Sequence, residues 1–462
     1  MHESAAQCAP CQPVVGLCAC GIVVGYGAVA GYIRGDIAGK CGLWLMGDTL
    51  RRMPAVRTGV CYQPDQKTIT HMIRLERVED CCGCSACANV CGHGAITMVV
   101  DAEGFSYPKI DESLCTDCGL CARVCPIIAR KSMDLSAKTY KSLYAGRLKD
   151  EAALRRSASG GAFWALASAV IADGGVVFGA VYDDDMRVVH RSADTLEGCR
   201  AFQGSKYSQS DTYQAYREAR DMVRSGRKVL FTGTPCQIDG LLRFLIKKYD
   251  NLLTMDVVCH AVPSPQIFSD YISLVNRRLK GRLTDINMRD KSTRGWSHAF
   301  TYRYDLADGR SLVDQDKTVD WGRLFFSKLI DRPSCHECKY TNLNRASDIT
   351  VADFWDDDNM RPDLRSPLGT SLLMANTDAG ERMLRDVADT ITMSAITERE
   401  ALQPCLQRPT AADSRRRQFW GDYHAHGFGY VYRRYFDDTN YQKFKNMIKK
   451  ILKTIGVWHP KE

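Results

Sequence analysis

Two copies of one cysteine spacing stand close together near the first quarter of the chain and limit what can form around them. CCGCSACANVCGHGAI supplies Cys81, Cys84, Cys87 and Cys91, and CTDCGLCARVCPII supplies Cys115, Cys118, Cys121 and Cys125, each as C-x2-C-x2-C-x3-C. This is the spacing of bacterial-type ferredoxins with two [4Fe-4S] clusters. Three thiolates on one tight loop reach three corners of a cubane, and the fourth, three residues on, points to the other cluster. One cluster is therefore expected on Cys81, Cys84, Cys87 and Cys125, its neighbour on Cys115, Cys118, Cys121 and Cys91. Gly83, Gly92, Gly94 and Gly119 suit loops that turn sharply around a cofactor. Cys82 is surplus to the pattern, and Gly92 stands where a proline is usual. Structural zinc, the alternative, prefers paired ligands to two runs of four.

With 462 residues there is room for two or three domains. A hydrophobic content of 45% and a charged content of 25% fit an ordinary soluble core. The formal charge of +8 is modest and carries no nucleic-acid-binding stripe, although it suits an acidic electron carrier such as ferredoxin. Twenty-one cysteines, eight of them in ferredoxin runs, point to thiols kept reduced in the cytoplasm.

Residues 1–71 read as an extension of little structure or an overlong start. The uncharged run Val14–Ile33 is long enough for a membrane anchor, but its glycines dilute the hydrophobicity, so membrane association is not favoured. Cys8, Cys11, Cys18, Cys20, Cys41 and Cys61 receive no site. A ferredoxin-type domain is expected over 72–135, entered by a short strand before Cys81 and with a hairpin turning at Asp101 to Gly104 between the runs. The polar segment after Pro126 reads as a linker.

An α/β body follows, its first part over 141–225 and its second over 226–405. SASGGAFWAL reads as a loop and helix with Ser157 or Ser159 as N-cap, VVFGAVYDDDMRVVHRSA as two strands and an acidic turn, and QGSKYSQSD as a loop before a helix from Tyr213. The Gly160-Gly161 and Gly204-Ser205-Lys206 loops could each present amides to a phosphate, or simply turn. VLFTGTPCQIDGL is strand, loop and helix with Cys236 at the helix start, and LLTMDVVCHAVPSP is a strand that ends at Cys259. Cys335 and Cys338 form one C-x2-C pair in RPSCHECKY. These four make a possible third cluster, with zinc or unconnected thiols equally open on spacing alone. Cys199 and Cys405 read as core or surface thiols. The basic helical tail, 406–462, places Tyr441, Phe444, Ile448 and Ile455 on one face, to pack on the body or, as the alternative, to rest on an anionic membrane surface.

In the order SASGGAFWAL, QGSKYSQSD, GTPCQIDGL, VVCHAVPSP, RPSCHECKY and SDITVADFW, these motifs resemble the coenzyme F-420 hydrogenase/dehydrogenase beta subunit family over about 141–405. The resemblance implies an α+β protein, a ferredoxin-like dicluster domain followed by an α/β flavin-binding body. It implies FAD held by Ser159, Gly160, Gly161, Gly204, Ser205, Lys206 and Tyr207, and a third [4Fe-4S] cluster on Cys236, Cys259, Cys335 and Cys338. Ala261 and Asp356 replace glycines usual in the family, which leaves coenzyme F-420 itself an open choice of acceptor. The function expected is an oxidoreductase that passes electrons from ferredoxin or a partner subunit through clusters to FAD and then to a small organic acceptor. The alternative is an electron-transfer subunit with no substrate site. Catalytic acids or bases are not identified; His190, His260, His298 and His336 are candidates by residue type alone.

Overall fold

The computed structural model describes residues 71–314, 320–355 and 361–436, together with two short strands, β1 (Val15–Leu17) and β2 (Val23–Gly25), which pair antiparallel. Met1–Ile69 and Thr70–Glu462 are separate compact units. The Val14–Ile33 run apart from those strands, Asp356, and the apolar face of the tail beyond residue 436 lie outside the described residues. Among the described residues no helix is long and apolar enough to cross a membrane.

The dicluster region opens without the strand expected before Cys81; a 3-10 turn, Val78–Asp80, delivers the chain instead. Two short helices, Ala86–Val90 and Leu120–Arg123, follow the cysteine loops. Between them lies the expected hairpin, β3 (Ile96–Val100) against β4 (Ser106–Ile110). Asp101 shapes its turn by accepting from the amides of Glu103 (3.0 Å) and Phe105 (2.8 Å). The stretch after Pro126 is not a free linker. Pro126–Lys131 is helical, since proline at the first position loses no needed donor, and it buries Ile127 and Arg130.

The body is built on eight strands: β5 (Ser142–Leu148), β6 (Val176–Tyr182), β7 (Val188–Ala193), β8 (Val229–Gly233), β9 (Leu252–Val257) and, after a separate three-stranded sheet of β10 (Leu283–Asn287), β11 (Tyr302–Leu306) and β12 (Ser311–Asp314), β13 (Ile349–Asp353), β14 (Ser371–Ala375) and β15 (Ile391–Ala395). The order is β15-β5-β14-β13-β9-β8-β6-β7. β6, β8, β9 and β13 run parallel at the centre, and antiparallel strands flank them. The central strands are near-continuous apolar runs because both faces are covered.

Dicluster region and body share one core: Cys84, Ala86, Cys87 and Val124 pack with Phe178, Tyr216, Phe231, Ile238 and Leu241. The tail's helices Arg416–His426 and Phe428–Tyr435 bury Phe419, Trp420 and Val431 against the helix Pro265–Leu279 and the small sheet.

Neither Ser157 nor Ser159 caps the helix Ala162–Ala172; Gly161 does, at φ +85°, a conformation costly for any residue with a Cβ. Gly160 is held between strands. A Cβ there would stand 2.3 Å from the Gly146 carbonyl oxygen and 2.4 Å from the Ser371 amide nitrogen, both backbone atoms of β5 and β14. Gly160→Ala is therefore expected to destabilise the chain by about 1–3 kcal/mol or more through overpacking, read as a lower denaturant midpoint with or without added flavin.

Candidate functional site

The eight ferredoxin-run thiols divide across the runs. Cys91, the last of the first run, lines a small cavity with Cys115, Cys118 and Cys121. Cys125, the last of the second, lies beside the first run: burial, then Cys81 and Cys125, push the Cys87 thiol up. Cys84 is pulled down by its hydrogen bond with Cys82 but raised by burial and by Cys125 and Cys87. Thiols this buried and crowded stay protonated by themselves; iron is what makes thiolates of them. Cys118 is exposed, whereas Cys81, Cys84, Cys87 and Cys125 are buried, so one set faces solvent and the other faces the body.

The body brings Cys236, Cys259, Cys335 and Cys338 to one cavity of about 530 Å³. The register explains the first two: Gly233 of β8 pairs with Asp256 of β9, and each cysteine lies three residues past that pair, where parallel strands release the chain. Thr234 and Gln237 form a capping box that fixes the helix Pro235–Leu245, with Cys236 in its first turn. The third and fourth come on a 3-10 turn, Pro333–Glu337, tied back to the segment after Cys259 by the Arg332 amide on the Val262 carbonyl (3.0 Å). Burial first, then Cys335, Cys236, Cys338 and Cys405, raises the Cys259 thiol. The set suits a cage of four irons, each holding one sulfur. Among the described residues no three His, Cys, Asp or Glu side chains stand as close together as the ligands of one bound ion.

Two buried guanidinium groups lock this region. Arg332, fully buried, donates to the Cys81 carbonyl (2.7 Å), the Gln209 side chain (2.9 Å) and the Ser106 carbonyl (2.9 Å), and lies 4.4 Å from the Tyr107 ring centroid. Arg130 pairs with Asp239 at 2.9 Å and stacks 4.2 Å from the Tyr340 ring centroid, two residues past Cys338. Neither role was readable from the sequence, although Arg332 stands inside a recognised motif. Cys82 and Cys405 were also passed over. Cys82 lines the body's cysteine cavity, and the Cys405 sulfur is 3.7 Å from His260 Nδ1.

A second cavity, about 450 Å³, is lined by Arg155, Arg156, Arg200, Lys206, Lys291 and Arg303 against only Asp285 and Asp290. Such a cationic wall fits a phosphate-bearing group. Of the expected flavin contacts, Gly204, Ser205 and Lys206 line it; Ser159, Gly160, Gly161 and Tyr207 do not. The two loops still meet through Lys291, whose ammonium donates to the carbonyls of Ser159 (2.7 Å), Leu154 (3.0 Å) and Leu368. Burial pulls Lys291 down to about 7, while three carbonyls match the three donors of its charged form. Burial likewise pulls Lys206 to about 8. No sequence pattern announces Lys291, because its acceptors come from two distant segments, residues 154–159 and Leu368.

Aromatic rings link the cavities. His260, next to Cys259, is 5.2 Å from Phe325; Phe325 is 5.0 Å from Tyr207, which follows Lys206. Tyr207 also packs 4.8 Å from Phe300, so it is part of this aromatic cluster. The other histidines are structural in their contacts. His190 is buried against Phe231 with Nε2 2.9 Å from the Thr232 carbonyl, and burial lowers it to about 4. His336 Nδ1 meets the Thr410 carbonyl at 2.9 Å, and His298 stacks on Trp355.

Two expectations follow from these contacts. A Cβ at Gly240 would sit 2.9 Å from the Cys84 sulfur and 3.0 Å from Tyr216 Oη. A free thiol could swing aside, whereas a ligated one is fixed, so Gly240→Ala should lose about four iron per chain by chemical iron and sulfide assay. Asp331 is fully buried, neither oxygen has a hydrogen-bond partner, and burial raises its carboxyl to about 7 from 3.8. Its folded form keeps a proton that the unfolded chain releases, so it removes stability as pH rises from ~4 to ~7, by about 1.4 kcal/mol per pH unit. Asp331→Asn should flatten that part of the stability profile, checked by denaturation at about pH 5 and about pH 8.

Comparison with known proteins matches residues 226–399 to the C terminus of the coenzyme F-420 hydrogenase/dehydrogenase beta subunit, and residues 80–129 to a 4Fe-4S dicluster domain. A coenzyme F-420-dependent sulfite reductase of Methanocaldococcus jannaschii is 30% identical over 169 residues, which is 35% of this chain and 24% of that protein. The chain thus spans about a quarter of that relative's length. A chain of the F-420-reducing [NiFe] hydrogenase complex from Methanosarcina barkeri superposes with a TM-score of 0.40 at 18% identity, covering 57% of this chain and 85% of that one. The chain therefore joins a 4Fe-4S dicluster domain to the C-terminal domain of the coenzyme F-420 hydrogenase/dehydrogenase beta subunit family.

Proposed function

We propose that the chain is a cytoplasmic iron-sulfur flavoprotein oxidoreductase that takes electrons from ferredoxin or a partner subunit and gives them to a small organic acceptor, coenzyme F-420 or another. The observation that carries this reading is the succession of three thiol sets, from the one containing exposed Cys118, through the buried set of Cys81, to the cavity of Cys236. Bound there, [4Fe-4S] clusters would supply one-electron steps and FAD the change to two-electron chemistry.

The chain's own residues divide the work. Cys118 sits at the solvent face, where a carrier can approach. Arg332 and Arg130 hold the dicluster region rigidly on the body, which fixes the spacing between thiol sets. The basic wall of Arg155, Arg156, Lys206 and Arg303 would take the FAD pyrophosphate. The rings of His260, Phe325 and Tyr207 exclude water between that wall and the third thiol set. Free thiols at all 15 described cysteines suit a reducing compartment.

Anaerobically purified protein should be brown, with about 12 iron per chain and one FAD, and after reduction with dithionite it should be reoxidised by coenzyme F-420 or another organic acceptor. Failure of every organic acceptor, with redox protein partners still reduced, would leave an electron-transfer subunit. A colourless, zinc-containing preparation would end the redox reading.

A further inference from the structure

Cys82 is not needed by the ferredoxin spacing, yet it lies where two thiol sets come closest. Cys81 is extended (φ −61°, ψ 125°), so the next side chain leaves the backbone in another direction, where it lines the body's cysteine cavity. The backbone is pinned in that direction. The Cys81 carbonyl accepts from Arg332 (2.7 Å) and the Cys82 carbonyl from Gln209 (3.0 Å). Gly83 at φ +69° then turns the chain back, in a space that Arg332 and Gln209 leave too small for a Cβ.

The Cys82 thiol emerges in the body's cysteine cavity, beside Cys236 on one side and Cys84 on the other. The helix Pro235–Leu245 closes the same gap, with Cys236 in its first turn and Gly240 directly against the Cys84 sulfur. Cys84 belongs to the inner ferredoxin-type set and Cys236 to the third set. A single S–H therefore stands between ligands of two clusters.

We propose that Cys82 is a positioning residue, not a ligand: a neutral thiol that donates its one hydrogen bond to Cys84 or Cys236 and so couples the reduction of the two clusters they hold. This rests on the third thiol set binding a cluster, as in the proposed function. When a cubane takes one electron from a donor of the dithionite class, negative charge rises on its sulfurs, and a donor hydrogen bond there stabilises the reduced form. The proton stays on Cys82 throughout; only the electron moves. Because the S–H serves one sulfur at a time, reducing one cluster draws it away from the other.

The test is a mediated redox titration of the anaerobic holoprotein, followed by electron paramagnetic resonance, for wild type, Cys82→Ala and Cys82→Ser. Cys82→Ala should keep about 12 iron per chain but lower the midpoint potentials of the two clusters, with a combined loss of about tenfold in the equilibrium constants for reduction, about 59 mV for a one-electron couple. Cys82→Ser keeps a donor and should recover most of that loss. Unchanged potentials in Cys82→Ala overturn the coupling role, and loss of a cluster's iron from that variant overturns it in favour of ligation. A wild type with about 8 iron per chain would instead remove the third cluster, and the coupling with it, a result distinct from full iron with unmoved potentials.

Discussion

Everything in the centre of this molecule is arranged around the side chain of Arg332. Its guanidinium reaches the Cys81 carbonyl in one ferredoxin loop, the Ser106 carbonyl in the hairpin, and Gln209 in the body loop that begins QGSKY. Its own backbone is bonded to Val262 and leads directly into Cys335. Four segments that are far apart in sequence are thereby held at one point. Removing such a buried, fully engaged cation would leave carbonyls without donors and a gap at the junction, which is why the dicluster region and the body share a core instead of swinging on a linker.

That sharing explains how much was legible beforehand. The cysteine runs, the hairpin with its Asp101 turn, the strands that release Cys236 and Cys259, and the helix from Tyr213 all follow from local pattern: spacing, alternation and capping chemistry act within a few residues. The Ser157 and Ser159 cap failed because a tight approach between β5 and β14 required glycine at 160, and Gly161 took the cap position. The linker reading after Pro126 failed for a related reason. Arg130 looks like a surface residue in sequence, and only the fold supplies Asp239 and Tyr340 to satisfy it in the core.

The cofactor residues show the same division. Gly204, Ser205 and Lys206 line the basic cavity, but most of its charge comes from Arg155, Arg156, Arg200 and Arg303, which no short motif groups together. Lys291 joins the glycine loop of residues 159–161 to the rest through three carbonyls, two from residues 154–159 and one from Leu368. Gly160 and Gly161 both serve packing in this structure: a Cβ at 160 would meet the backbone of β5 and β14, and one at 161 the Leu148 side chain.

The charge balance of the junction supplies a last argument. Arg130 has Asp239 and Arg345 has Asp256 as buried counter-ions, at 2.9 and 2.8 Å. The three acceptors of Arg332 are two carbonyls and a side-chain amide oxygen, all neutral. A buried cation satisfied by dipoles alone keeps its net charge, and burying net charge is costly unless an opposite charge lies near. Cysteines surround Arg332: its guanidinium binds the carbonyl of Cys81, and its charge opposes the contact with Cys82 and the burial that together raise the Cys236 thiol. Thiolate-ligated iron-sulfur clusters carry net negative charge that grows on reduction, so clusters bound at the proposed thiol sets would offset the burial of this cation, which would in turn favour the arrival of an electron. With clusters bound as proposed, the residue that joins the two halves mechanically would also join them electrostatically.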